Sequence, residues 1–87
     1  MRIEYSKRFM KEYKKCPANI QRAFKNRLKL LLEDKYHPLL NNHALTGILR
    51  NHRSINITGD WRALFQEFDN GNAVYFIVLG THSKLYK

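Results

Sequence analysis

Residues 53–80 read RSINITGDWRALFQEFDNGNAVYFIVLG, and this stretch decides the predicted fold. Its first part, RSINIT, alternates isoleucine with polar residues, which is typical of a strand with one buried face. RALFQEF follows a turn at 58–60, and the apolar segment AVYFIVLG follows the hairpin signal DNGN at 69–72. Because both connections are short, the three segments predict an antiparallel meander. The last segment is apolar on both faces, so we expect it to be central in the sheet.

The first 35 residues predict one strand followed by two basic helices. Arg2–Tyr5 is the predicted strand, and the hydroxyl of Ser6 can cap the first helix. Pro17 fits the first turn of the second helix, which we expect to continue to about Lys35. It must end before His37, because a residue that precedes proline disfavours the helical region. The apolar residues at helical spacing are Phe9, Met10 and Tyr13 in the first helix and Ile20, Phe24, Leu28, Leu31 and Leu32 in the second.

Together these segments predict an α+β fold with the element order β-α-α-β-β-β. The two N-terminal helices are expected to pack on one face of a small, twisted and mainly antiparallel sheet. A chain of 87 residues has the length of one domain, so we expect a single domain over residues 1–87 with a modest core.

The charge of the chain is large and unevenly distributed. Sixteen Lys and Arg residues against seven Asp and Glu give a formal net charge of +9. The first 35 residues carry 11 basic and 4 acidic side chains, a net charge of +7, and the remaining 52 carry 5 and 3, a net charge of +2. This asymmetry favours an anionic partner, with nucleic acid or an acidic protein ahead of a membrane surface. A basic surface without a partner is the simpler explanation, but the uneven placement weighs against it.

Cysteine use and the N-terminal residues predict the compartment. Cys16 is the only cysteine, so no internal disulfide can form, which fits a reducing environment. The sequence MRIEYSKRFMKEY lacks the apolar segment of a signal peptide, and no run is apolar for the length of a membrane span. We therefore expect a cytoplasmic protein with no membrane interaction.

Several ionisable or aromatic side chains stand at predicted strand ends and turns, where a meander brings distant segments together. They are His43, Arg53, Asp60, Arg62, His82 and Tyr86. Their types suit metal-free cleavage of RNA, because the ribose 2′-hydroxyl is the nucleophile and the enzyme supplies a base, an acid and a cation. Histidine suits the proton transfers, arginine suits the phosphate, and an aromatic ring can stack on a base. Taken singly, each residue also has an ordinary structural explanation, such as a cap, a turn or a surface charge.

Metal and cofactor sites are not indicated by the sequence. The four histidines lack the spacing of metal ligands, and there is no second cysteine. No glycine-rich nucleotide-binding loop is present. We therefore expect neither a metal nor a cofactor.

Three motifs in combination resemble one family: HALTG at 43–47, GDW at 59–61 and GTHSKLY at 80–86, which follows the apolar strand. The sequence is similar to the RelE/ParE superfamily of bacterial type II toxins and is closest to its YafQ-like branch. The resemblance covers nearly the whole chain, including the two basic helices ahead of the meander. It implies a RelE-like fold and an mRNA interferase, an endoribonuclease that cuts mRNA in the ribosomal decoding site and is silenced by a cognate antitoxin.

The resemblance also implies roles for individual residues. His43 and His82 match histidines proposed for proton transfer, and Asp60 matches a carboxylate needed for activity. Tyr86 matches the terminal aromatic residue that orients the substrate, and Arg62 matches an arginine that contacts phosphate in the RelE branch. Which residue is the base and which is the acid stays open, since Asp60 can instead orient a histidine or raise its pKa.

Two positions depart from the YafQ-like pattern. Val78 stands where that branch has an arginine, and Asn56 stands where it has a second histidine. Arg62 or Arg53 can replace the missing cation. Two outcomes are therefore expected. Either a set of residues that combines the RelE and YafQ patterns retains the activity, or the activity is weakened.

The basic helices suggest a further contact with RNA. Ribosomal RNA surrounds the decoding site, and cations can bind its phosphates without reading sequence. The candidate phosphate-binding residues are Arg53, Lys11, Lys14, Arg22, Lys25 and Lys29. An acidic or amphipathic antitoxin would be drawn to the same helical surface.

Two alternative functions stay open. One is a ParE-like toxin that binds DNA gyrase without cutting RNA, and the other is a basic RNA-binding module without catalysis. The four residues His43, Asp60, His82 and Tyr86 argue against the ParE-like alternative, because that branch does not need them. An mRNA cleavage assay separates the interferase from both.

Overall fold

The computed structural model describes residues 1–85. The strands in this range are β1 (Arg2–Tyr5), β2 (His43–Ala44), β3 (Arg53–Asn56), β4 (Trp61–Phe68) and β5 (Ala73–Thr81). The α-helices are α1 (Lys7–Lys15), α2 (Ala18–Glu33) and the single turn α3 (His82–Leu85). Short 3-10 helices lie at Pro38–Leu40, Gly47–Leu49 and Asp69–Gly71. No helix in this part of the chain has the length and apolar character needed to cross a membrane.

The strands form one sheet in the order β1-β5-β4-β3-β2, in which β1 is parallel to β5 and the other neighbours are antiparallel. The predicted α+β fold and the meander β3-β4-β5 are therefore confirmed. β5 is an interior strand, as its apolar sequence predicts, but β4 is the central one. The difference comes from β2, which adds to the outer edge of β3 and, with two residues, is too short to show an alternating pattern.

Helices α1 and α2 cover one face of the sheet, which we call the helix face. Its core contains Phe9 of α1, Ile20, Phe24 and Leu31 of α2, and Ile55, Ala63, Phe65, Phe76 and Leu79 of the sheet. The opposite face, which we call the far face, carries Ser54, Asn56, Arg62, Leu64, Val78 and Gly80, as the strand register shows. Cys16 is buried at the end of α1, and this burial, with a smaller effect of Glu12, raises the pKa of its thiol.

In each helix, one residue that was predicted to belong to the buried apolar stripe is exposed. Met10 is 49% exposed and Leu32 is 48% exposed. Each directly follows a core residue, Phe9 or Leu31, and successive residues of a helix point about 100° apart. The second residue of each pair therefore turns toward solvent.

Two elements end earlier than predicted. α2 ends at Glu33, because Asp34 adopts an extended backbone while its N–H still bonds to the carbonyl of Leu30. β3 ends at Asn56, because the N–H groups of residues 57 and 58 both donate to the carbonyl of Trp61 and so form the turn before β4.

A β-bulge divides β5 into two segments of opposite phase. Phe76 and Val78 lie opposite consecutive residues of β4, so Ile77 is an additional residue. Because side chains alternate along a strand, the additional residue moves every later side chain to the other face. Phe76 and Leu79 can therefore both reach the core on the helix face.

Ser6 joins β1, α1 and the bulge of β5. Its N–H donates to the carbonyl of Phe76 at 2.9 Å, and its hydroxyl donates to the carbonyl of Ile77 at 2.8 Å. The same hydroxyl oxygen accepts from the N–H of Phe9 at 2.9 Å, which confirms the predicted helix cap. The hydroxyl of Ser6 thus provides a hydrogen-bond acceptor for the first turn of α1 and a donor for the Ile77 carbonyl in the bulge.

Replacing Ser6 is expected to destabilise the fold. Ser6→Ala should lower the free energy of unfolding by about 1–3 kcal/mol, because it removes a helix cap and deprives the Ile77 carbonyl of its donor. Chemical denaturation followed by circular dichroism measures this loss. Ser83→Ala, at an exposed position of α3, is the matched control and should stay within about 0.5 kcal/mol of the parent. Equal stability of the two variants would show that the Ser6 junction does not stabilise the fold.

Candidate active site

A surface pocket of about 330 Å³ lies on the far face, and its lining comes from β2 and its flanking residues, from the start of β4 and from the residue after β5. It is lined by Asn41, His43, Leu45, Arg62 and His82. The structure therefore brings together three of the predicted catalytic residues, which come from three separate parts of the chain.

The register of the sheet explains why these residues meet. His43 of β2 lies opposite Ser54 of β3, and Arg62 of β4 lies opposite Asn56 of β3. The two β3 residues are two positions apart, so they point to the same face, and side chains directly opposite them share that face. His82 is the residue after β5, which pairs along the whole of β4.

The ring of His43 is oriented by the segment before β2. Its Nδ1 lies 2.7 Å from the carbonyl oxygen of Asn41. A carbonyl oxygen can only accept, so Nδ1 carries the hydrogen and the neutral ring has its lone pair on Nε2. Asn41 supplies this carbonyl from a left-handed conformation with a φ of 46°, which asparagine tolerates better than most residues. The exposed His43 ring can therefore accept a proton at Nε2.

One amino group of Arg62 caps the turn before β4. Nη1 donates to the carbonyl oxygens of Thr58 at 3.0 Å, Gly59 at 3.3 Å and Trp61 at 3.0 Å. The Nε and Nη2 groups make no hydrogen bond within residues 1–85. The turn thus positions the guanidinium while two donor groups stay available to an anion such as a phosphate.

Asp60 contacts His82 through the backbone. The N–H of His82 donates to the carbonyl oxygen of Asp60 at 2.8 Å, which ties the start of α3 to the turn before β4. Both side chains are exposed. The described residues that line the pocket do not include Asp60, so its carboxylate is not part of the lining. Its predicted role in activity stays a prediction.

The two departures from the YafQ-like pattern lie beside the pocket. Val78 is 8% exposed and shares a cross-strand row on the far face with Ser54, and so with His43. Asn56 lies opposite Arg62, and its buried Oδ1 has no hydrogen-bond partner within residues 1–85. Arg62 lies on the same face as Val78, the position at which the YafQ-like pattern has an arginine. A cation that replaces that arginine has to lie on this face.

Arg53 lies on the helix face and lines a different pocket, with His52 and Gln66. Its Nε donates to Oδ1 of Asn42 at 2.8 Å, and its guanidinium lies 5.8 Å from the ring centroid of Tyr36. These contacts hold the Arg53 guanidinium against Asn42 and Tyr36. Its predicted role in phosphate binding stays a prediction.

The basic residues predicted on the helices lie across the sheet from the candidate active site. All five are exposed: Lys11 and Lys14 on α1, and Arg22, Lys25 and Lys29 on α2. Between the helices Lys14 and Lys25 also line an apolar groove. At this groove burial raises the pKa of the Tyr5 hydroxyl, and the neighbouring Tyr13 adds to the increase.

Tyr86 lies outside the described residues, so its predicted role stays a prediction. Asn41 and Leu45 also line the pocket and were not predicted from the sequence. The Asn41 group that orients His43 is a backbone carbonyl, which every residue carries, so its position could not be read from side-chain types. Within residues 1–85 no group of three or more His, Cys, Asp or Glu side chains is placed to hold a metal ion.

The pocket holds the groups that acid–base chemistry at a phosphodiester requires. A neutral imidazole with a free ring nitrogen can remove a proton, and a protonated imidazole can return one. A guanidinium with unused donors can stabilise the negative charge that develops on the phosphate oxygens.

Solved structures of bacterial toxins share this fold. YafQ from E. coli strain BL21(DE3) is 23% identical over 100% of both chains, with a TM-score of 0.82. A YoeB/ParE toxin from Agrobacterium tumefaciens is 15% identical, covers 94% of this chain and 99% of its own, and has a TM-score of 0.79. The E. coli DinJ–YafQ complex is 24% identical over 100% of both chains, with a TM-score of 0.66. At these identities the likeness shows the fold.

The sequence itself identifies the family. No curated protein matches the chain. The sequence model of the YafQ family, described as bacterial toxins of type II toxin-antitoxin systems, matches residues 1–87. This match covers the HALTG, GDW and GTH motifs and confirms the resemblance drawn from them. The chain therefore belongs to the YafQ family of toxins of bacterial type II toxin-antitoxin systems.

Proposed function

We propose that this toxin is a ribosome-dependent endoribonuclease, an mRNA interferase that cleaves mRNA by attack of a ribose 2′-hydroxyl on the adjacent phosphate. The observation that carries the proposal is the pocket on the far face that His43, Arg62 and His82 line together. The reaction needs no metal ion, because the RNA contributes its own nucleophile and the pocket contributes the acid, the base and the cation. The site of action is the cytoplasm, where ribosomes and mRNA are found.

His43 is the general base in this reaction. Because its Nδ1–H is bound to the carbonyl of Asn41, its Nε2 is free to take the proton of the 2′-hydroxyl. The 2′ oxygen then forms a bond to phosphorus while the bond from phosphorus to the 5′ oxygen breaks. The first product is a 2′,3′-cyclic phosphate.

His82 is the general acid. In its protonated form it gives a proton to the departing 5′ oxygen, so that the second product is a 5′-hydroxyl. Its location is fixed by the hydrogen bond from its N–H to the Asp60 carbonyl. The backbone of Asp60 thus positions His82. The Asp60 carboxylate is proposed to orient a histidine, and Tyr86 is proposed to orient the substrate.

Arg62 stabilises the charge that accumulates on the phosphate in the transition state. Its Nη1 is held by the turn before β4, so the guanidinium is in place before substrate binds. Groups that are oriented in advance need not reorganise during the reaction, which makes them effective in stabilising a transition state.

The basic helices are proposed to bind ribosomal RNA. Their five exposed cations lie on the opposite side of the sheet from the pocket. Ribosome binding through this surface would therefore leave the cleavage pocket accessible to mRNA. Such contacts attract phosphates without selecting a sequence and weaken as salt is added.

Removing the proposed acid is expected to abolish most cleavage. His82→Ala should slow cleavage of a defined mRNA by about 100- to 10,000-fold, the usual effect of losing one acid or base. Primer extension in a reconstituted translation reaction measures the cuts. His52→Ala is the matched control, because His52 lines a different pocket, and it should cut like the parent.

Cuts that appear only with ribosomes and disappear in His82→Ala would support both the reaction and the site. Cuts of equal strength in His82→Ala would contradict the assignment of the acid. Folded protein that makes no cuts with ribosomes would contradict the endoribonuclease function and favour a toxin that acts by binding.

We also propose that a cognate antitoxin binds the apolar groove between α1 and α2. The groove has a volume of about 320 Å³. Its apolar lining consists of Tyr5, Phe9, Met10, Tyr13, Phe24 and Leu28. Lys14 and Lys25 also line it, so its chemistry complements an acidic amphipathic helix. The exposed side chain of Met10 suits such a surface, since methionine adapts to irregular partners.

Charge reversal at this groove is expected to weaken antitoxin binding. Lys14→Glu/Lys25→Glu should raise the Kd of the antitoxin that restores growth on coexpression by at least about tenfold, with a larger effect at low salt. Isothermal titration calorimetry measures the change. Arg50→Glu/Lys84→Glu alters the same total charge at two exposed positions outside the groove and should have a much smaller effect. An unchanged Kd for the groove variant would place the antitoxin on another surface.

A further inference from the structure

A second pocket lies at the same end of the sheet as the candidate active site, but on the helix face. β1 pairs with β5 only as far as Phe76, so no strand in the described part of the chain lies on that side of the last residues of β5. α1 and α3 enclose the space beside them and form a pocket of about 560 Å³. The charged and aromatic side chains of its lining are Arg8, Glu12, Lys15, Trp61 and Lys84. We call it the Lys15–Lys84 pocket.

This pocket is positively charged although it contains a carboxylate. Oε1 of Glu12 accepts from the N–H of Leu79 at 3.0 Å, and Oε2 pairs with Nε of Arg8 at 3.3 Å. The negative charge of Glu12 is therefore compensated inside the protein. Lys15 and Lys84 are exposed and form no ion pair or hydrogen bond within residues 1–85. Two uncompensated ammonium groups thus line one pocket.

The apolar part of the pocket suits a nucleobase or a ribose. Trp61 and Leu85 are both partly exposed there, and Trp61 also packs against the core, which restricts its movement. Proteins bind single-stranded nucleic acid with this combination, in which aromatic side chains contact the bases and cations contact the phosphates.

The Lys15–Lys84 pocket adjoins the candidate active site across the end of β5. Thr81 lines the first and His82, the next residue, lines the second. In β4 the neighbours Trp61 and Arg62 likewise point to opposite faces. An RNA strand whose reacting phosphate lies at Arg62 can therefore pass around the end of β5 and place an adjacent nucleotide at Trp61.

We propose that the Lys15–Lys84 pocket binds one nucleotide of the mRNA next to the cleaved bond, with its base against Trp61 and its phosphate at the two lysines. The inference rests on the proposed endoribonuclease function and adds a substrate subsite to it. Ribosomal RNA has the same chemistry, so the experiments below distinguish the two sources of the nucleotide.

Nuclear magnetic resonance of the full chain with adenosine monophosphate tests the pocket directly. Trp61 is the only tryptophan, so its indole N–H signal reports on this pocket. We expect a saturable shift of that signal in the parent and in His82→Ala. In Lys15→Ala/Lys84→Ala the Kd should rise by about tenfold or more, because charge-assisted hydrogen bonds are lost. Lys7→Ala/Arg50→Ala removes two exposed charges elsewhere and should leave the Kd unchanged.

Several outcomes would overturn the assignment. An indole signal that does not respond to adenosine monophosphate would exclude nucleotide binding at Trp61. An equal loss in both double variants would show a general effect of charge. A full shift with adenosine alone, or with inorganic phosphate alone, would contradict recognition of a whole nucleotide.

Because this binding is measured without ribosomes, its result is independent of cleavage. Protein that binds the nucleotide but never cuts mRNA would refute the endoribonuclease function and leave the pocket assigned. Protein that cuts mRNA without a nucleotide-dependent indole shift would refute the pocket alone.

Small ribosomal subunits without mRNA identify the source of the nucleotide. We expect Lys15→Ala/Lys84→Ala to cosediment with these subunits as the parent does, and to cut mRNA on programmed ribosomes at least about tenfold more slowly. Loss of cosedimentation would assign the pocket to ribosomal RNA and overturn the assignment to mRNA.

Discussion

The structure depends on how β1 ends against β5. The two strands pair in parallel for four residues, after which the chain leaves the sheet to begin α1. Ser6 makes this departure possible, because its hydroxyl caps the helix and also satisfies the carbonyl of the bulge at Ile77. Within residues 1–85 no strand pairs with this edge of β5 beyond that point, and Oε1 of Glu12 accepts from the N–H of Leu79. The end of β5 is therefore supported by side chains of α1, and both pockets proposed to bind RNA lie at that end.

The two faces of the sheet have different chemistry. The far face carries the groups proposed for proton transfer, and the helix face carries most of the positive charge. On the proposed functions, an antitoxin in the groove between α1 and α2 would lie across the sheet from the candidate active site. It would then act by covering the surface proposed to bind the ribosome, and the proposed cleavage pocket itself would stay open. Because the two faces are separate, the basic residues of the helices can change without altering the geometry of the proposed acid and base.

Much of the fold could be predicted because its signals are local. The alternation in RSINIT, the DNGN turn and the serine cap each depend on a few neighbouring residues, and all three correspond to observed elements. β2 and the bulge could not be predicted, because both are set by pairing with distant strands. For the candidate site, the motifs predict His43, Arg62 and His82, and the structure places these three residues around one pocket. The carbonyl of Asn41 and the backbone contact of Asp60 were missed, since backbone groups leave no trace in residue type.

The bulge at Ile77 allows the two parts of β5 to evolve separately. Residues 73–76 are tied to β1, and the residues after the bulge lead into α3 and the candidate active site. An insertion or deletion at position 77 changes the phase between these parts, whereas the phase between Val78 and His82 is kept. Counting back from the GTH motif is therefore a sound way to align relatives as far as Val78. Beyond that position, an alignment that ignores the bulge would match core residues of one relative with far-face residues of another.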